Sequence, residues 1–141
     1  MLKKIVIIIL IILLSSINAY AVDNTNIEIF DISQGKVVKV APSNPKIQAK
    51  AIKYLNGITG VYGKFDPIPD KGYAIGIHLE PPAKIQGKWL NALLDEVIIM
   101  FPQQEPPFLV VIDEENKLVC FRFQGDTNKL LKDLNFKIMS K

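Results

Sequence analysis

The sequence predicts an α+β domain built on a mostly antiparallel sheet, and three observations carry that prediction. Tyr73, Ile75, Ile77 and Leu79 alternate with Ala74, Gly76 and His78, the period of a strand with one large-residue face. Asn44-Pro45 opens a segment in which Ile47, Ala51, Tyr54 and Leu55 recur at the spacing of one helical face. Two β-rich runs, Phe108 to Ile112 and Lys117 to Phe123, flank the four polar residues Asp113-Glu114-Glu115-Asn116, the pattern of a hairpin. The expected product is a sheet of about five to seven short strands with two or three helices packed on one face, after an N-terminal signal segment.

That leading segment reads as an address. Lys3 and Lys4 precede ten uninterrupted aliphatic residues, Ile5 to Leu14, and the chain then turns small and polar. Ala19 and Ala21 place methyl-sized groups where a signal peptidase reads them, so cleavage is expected after Ala21. The competing topology is a retained membrane anchor, which needs about 20 apolar residues; Ser15, Ser16 and Asn18 interrupt the run early. Residues 1–21 are thus the signal, 22–26 a loose start, 27–136 one globular domain and 137–141 a tail.

Taken in order, Ile27 and Ile29 point to one side of an extended segment and Phe30 and Ile32 to the other. Ser33-Gln34-Gly35-Lys36 then turns the chain into Val37 to Val40. The helix from Pro45 to Asn56 is expected to be capped by the Asn44 side chain, with Gly57 as a left-handed terminator. Val61 to Phe65 and Gly72 to Leu79 bracket a loop stiffened by Pro67 and Pro69, and are expected to pair as a hairpin. Pro81-Pro82 is expected to break the chain before a helix over Lys88 to Glu96, whose apolar side is Trp89, Leu90, Leu93, Leu94 and Val97. Val97 to Phe101 fits a helix end or a buried strand, and its β-branched content favours strand. Asp126-Thr127 caps a last helix whose apolar side is Leu130, Leu131 and Leu134.

Composition narrows the function. With Lys3 and Lys4 in the leader, 15 basic residues face 14 acidic ones, too even a balance for a nucleic-acid binder. Arg122 is the single arginine, which argues against bidentate phosphate or carboxylate recognition as the main task. One histidine and one cysteine cannot build a conventional zinc site, so no metal or cofactor is expected. Cys120, flanked by large apolar groups, reads as a buried hydrophobe rather than a reactive thiol. Asp95-Glu96 reads as part of a solvated helix side, and Asp113 to Asn116 as a charged hairpin tip rather than a calcium loop.

Two classes of function remain. The favoured one is a secreted or extracytoplasmic, non-enzymatic binding or accessory module, whose partner is a cell-envelope component or another exported protein. Membrane contact is expected only through the N-terminal segment if it is uncleaved. The candidate partner surface combines Lys46, Lys50 and Lys53, which share one side of the helix, with Tyr62, Asp66 and Asp70 around the proline loop. The alternative is a small hydrolase built around His78 with Asp66, Asp70 or Glu80.

Overall fold

A computed structural model describes residues 26–63 and 68–138. The predicted leader, with Ala19 and Ala21, lies outside the described residues, as does Asp66. Among the described residues no helix is long and apolar enough to cross a membrane.

Seven strands, β1 (Asn26–Asp31), β2 (Lys36–Pro42), β3 (Ile58–Val61), β4 (Gly72–Gln86), β5 (Asn91–Pro102), β6 (Phe108–Ile112) and β7 (Leu118–Phe123), form one sheet. Its order is β2-β1-β4-β5-β6-β7-β3, and every pairing is antiparallel. Helix α1 (Pro45–Asn56) carries the chain from β2 at one edge to β3 at the other, and α2 (Thr127–Asp133) follows β7.

Each sheet face has its own apolar cluster. On one face Ile27, Ile29, Ile75, Ile77, Val97, Ile99, Leu109 and Phe121 meet Ile47, Ala51, Tyr54 and Leu55 of α1 and Leu130 of α2. Both helices therefore cover the same side. On the second face Phe30, Ile32, Ala74, Ile98, Met100, Phe108, Val110 and Cys120 pack together, joined by Ile68 and Tyr62. Those last two belong to the described ends of the connection from β3 to β4, and both lie on the face opposite the helices. Strand β6 is consequently apolar on both sides, and β7 is so except at the exposed Arg122.

The helix ends follow local chemistry. Oδ1 of Asn44 accepts from the Ile47 amide at 2.9 Å with Pro45 in the first turn, and Oδ1 of Asp126 accepts from Asn128 at 3.0 Å. Gly57 departs from expectation, because its φ of −94° is right-handed. A Cβ there would lie 2.6 Å from the Gln124 carbonyl oxygen, and the Gln124 amide donates to the Gly57 carbonyl at 2.9 Å. Glycine is needed for close approach of two backbones rather than for handedness.

Three further expectations are corrected. Residues 88–96 are not a helix: Asn91–Pro102 is one strand, β5, paired with β4 from Gln86↔Asn91 to Gly72↔Pro102. Val97 to Phe101 is strand, within that longer element. Pro81-Pro82 does not end the preceding strand, because the two prolines sit in a bulge of β4 between the ladder pairs His78↔Glu96 and Ala83↔Leu94, with the Glu80–Pro81 peptide cis. Finally, the segment before the proline loop does not pair with β4; β3 pairs with β7 instead. Two strands, β4 and β5, are thus much longer than the short strands expected.

At the C-terminus Phe136 and Ile138 pack against the helix-covered cluster, with Phe136 edge-on to Tyr73 at 5.1 Å.

Candidate binding groove

The ladder between β5 and β6 covers only Ile98 to Met100 against Phe108 to Val110. Beyond Ile98 and Val110 the two strands part, and the wedge between them is a cavity of about 510 Å³. Its apolar lining includes Pro82, Leu93, Ile98, Val110 and Ile112. Its rim carries Asp95 and Glu96 from β5 and Asp113 and Glu114 from the β6–β7 turn.

Local sequence explains each contribution. Leu94 and Val97 both face the helix-covered core, an odd separation that places a local irregularity between them, so Asp95 and Glu96 are both left off that core. Leu93, opposite Lys84, is 59% exposed because its neighbour Leu94 occupies the core side. The bulge that delivers Pro82 is held from behind by Gln48 of α1. Its amide nitrogen donates to the His78 carbonyl at 2.7 Å and its oxygen accepts from the Glu80 amide at 3.1 Å, replacing ladder bonds that the bulge loses. At the turn, Oδ1 of Asp113 accepts from the amides of Glu115 and Lys117, which fixes the tip, and Asn116 takes a φ of 62°.

Carboxylates extend beyond the wedge across Gly76. A Cβ on Gly76 would lie 3.7 Å from Oε1 of Glu96, so that carboxylate rests beside the glycine on the second face. Glu28 pairs with Gly76 from the other side and alternates with Ile27 and Ile29, which puts it on the same face. Burial holds the Glu28 carboxyl above the usual glutamate range. The arrangement is an apolar floor edged by carboxylates, a setting suited to a cation carried on an apolar stem.

The sequence-predicted residues are distributed differently. Lys46 and Lys50 converge on Asp133 of α2: Lys50 donates to Oδ2, and Lys46 stands 3.3 Å from Oδ1. Lys53 is exposed in the last turn of α1. Tyr62 lies on the opposite sheet face from this helix, stacked on Phe108 at 4.1 Å with its hydroxyl donating to Glu105. The helix lysines and Tyr62 are therefore not brought together, while Asp70 is exposed near the start of β4.

His78 and Glu80 are neighbours, with Nε2 and Oε2 3.7 Å apart, longer than a hydrogen bond, and with side chains 24% and 64% exposed. Asp70 precedes β4 at the end remote from His78, and the strand alone puts roughly 20 Å between Gly72 and His78, so these two do not share a site. Asp95 and Glu96 lie on a strand rather than on the side of a helix. Asp113 to Asn116 forms the charged turn that was expected. Among the described residues no group of three or more His, Cys, Asp or Glu side chains is placed to hold a metal ion.

Cys120 is buried, and burial pushes its thiol up to about 11. Leu93 reads in the sequence as part of a helix's apolar side, and Glu28 does not stand out there as a site residue. The signal in the sequence for Glu28 is a carboxylate set between two aliphatic residues, Ile27 and Ile29.

No protein-family model matches the chain, and searches of curated proteins and of solved structures return no significant match.

Proposed function

We propose that this protein is an exported, non-catalytic binding module that seats an extended, lysine- or arginine-bearing segment of another exported protein in the wedge between β5 and β6. The observation that carries this reading is the wedge itself, where a 59%-exposed leucine and an apolar floor lie under four carboxylates. An exposed Leu93 has no role in the core, and a carboxylate rim favours cationic partners from a distance while the floor supplies contact area. Where β5 leaves its ladder, an extended segment also has a strand to run beside.

Export rests on the cationic start, the aliphatic run and the Ala19-x-Ala21 end. The N-terminus of the exported form is then Val22. Support for binding over hydrolysis around His78 comes from the 3.7 Å separation of Nε2 and the exposed Glu80 carboxylate, too long for that carboxylate to orient the imidazole by a hydrogen bond.

The test is a titration of the isotope-labelled mature chain with an alternating lysine–valine peptide. Amide shifts confined to Leu93 to Ile98 and Val110 to Glu114 are expected. Uniformly small shifts, or equal binding of the glutamate–valine counterpart, overturn the reading.

A further inference from the structure

We propose that the tip of the β4–β5 arm, beyond the wedge residue Leu93, is a docking point for an anionic lipid surface. The ladder of β4 with β5 continues to Gln86↔Asn91, whereas β1 accompanies β4 only over Tyr73 to Gly76 and β6 accompanies β5 only over Ile98 to Met100. Residues 83–94 therefore form a two-stranded arm that outruns its neighbours. One side of the arm is anchored, since Ala83, Ile85, Leu90 and Leu94 belong to the helix-covered core. The tip is a tight turn in which the Gly87 amide donates to the Leu90 carbonyl at 3.0 Å.

Trp89 stands in this turn and is 44% exposed, although its neighbour Leu90 is buried. Lys88 holds its amine 5.3 Å from the centroid of the indole ring, so charge and aromatic surface are presented at one point. From Pro81 to Leu94 the chain carries Lys84 and Lys88 and no acidic residue. The small cavity beside Trp89 is lined by Leu55, Asn56, Ile58 and arm residues, again with no carboxylate. Lys53 sits in the last turn of α1, whose end this cavity adjoins. The nearest acidic residues along the two strands, Glu80 and Asp95, flank the base of the arm rather than its tip.

The charge complement of such a tip is an anionic surface, and the half-exposed indole selects a lipid interface within that class. Indole rings settle at the headgroup boundary, where one edge is apolar and the other wet, and lysines add attraction to anionic headgroups. Two lysines and one indole make a weak, reversible contact.

Trp89 is the single tryptophan of the chain, so its emission reports this position alone. The full chain is mixed with vesicles of phosphatidylglycerol and phosphatidylcholine in equal parts, and with vesicles of phosphatidylcholine alone. A blue shift of emission with the mixed vesicles only, suppressed by high salt, is expected. In the K84Q/K88Q variant the vesicle concentration needed for half the shift rises by about 25-fold, taking about five-fold for each lysine. Insertion of the leader alone would carry the chain to vesicles without moving the Trp89 emission. Absence of the shift, an equal shift with neutral vesicles, or indifference to K84Q/K88Q overturns the proposal. So does an equal shift with soluble polyglutamate, which would assign the tip to an acidic polymer.

Discussion

Lys50 of α1 donates to the carboxylate of Asp133 on α2, with side chains only 17% and 18% exposed, and so ties the two helices together. A lysine that the sequence offers as part of a candidate partner surface is half of an interhelix ion pair.

The hydrogen bond from Lys50, helped by Lys46, holds the Asp133 carboxyl below its ordinary value. A depressed carboxyl stabilises the fold above the unfolded aspartate value of about 3.9, and that contribution is lost as pH falls through the folded value. Asp133→Asn is therefore expected to flatten the acid limb of the stability curve, measured by denaturant unfolding at stepped pH. Lys50→Gln should flatten it in the same sense and Lys53→Gln should not. Equal effects of the two lysine changes would contradict the pairing.

Glu28 runs with the opposite sign. Burial raises its carboxyl, so at neutral pH the charged form costs stability, and acidification through the folded value relieves that cost. Glu28→Gln is expected to stabilise the protein at neutral pH, with the gain shrinking as pH falls into the glutamate range. A loss of stability at neutral pH would show that the carboxylate is held by a partner that outweighs its desolvation.

Phe121 and Cys120 are adjacent on β7 and face opposite clusters, both buried. Phe121→Ala should cost about 3 kcal/mol through lost burial and a cavity, measured by equilibrium unfolding. With its thiol raised to about 11, Cys120 should react with a thiol reagent at mildly alkaline pH only as fast as the chain opens. Phe121→Ala should therefore speed labelling of Cys120. A near-neutral Phe121→Ala would mean that the β6–β7 hairpin is a surface rather than core.

Legibility in the sequence followed the range of the interactions. Helix α1 was readable because its cap Asn44, its Pro45 and its buried face at Ile47, Ala51, Tyr54 and Leu55 are all local. The two faces of β1 were readable from Ile27 and Ile29 against Phe30 and Ile32. Strand β5 was not, since Trp89, Leu90, Leu93 and Leu94 fall at helical spacing by combining two buried residues with two exposed ones. Only the distant partner β4 decides that segment. The pairing of β3 with β7 is likewise invisible locally, because the partners lie some sixty residues apart. The wedge was hidden for the same reason: it exists because β5 and β6 part, and register between strands sets where they do.

A wedge that receives a cationic extended segment is tested by the affinity of the alternating lysine–valine peptide for the mature chain and for the Asp95→Asn/Glu96→Gln variant. These two side chains are chosen over Asp113, whose carboxylate holds the turn. Calorimetric titration at low salt should give binding that weakens about ten-fold or more in the variant, while the unfolding midpoint stays close to that of the parent. Binding of equal strength in parent and variant, with both folded, would contradict the account.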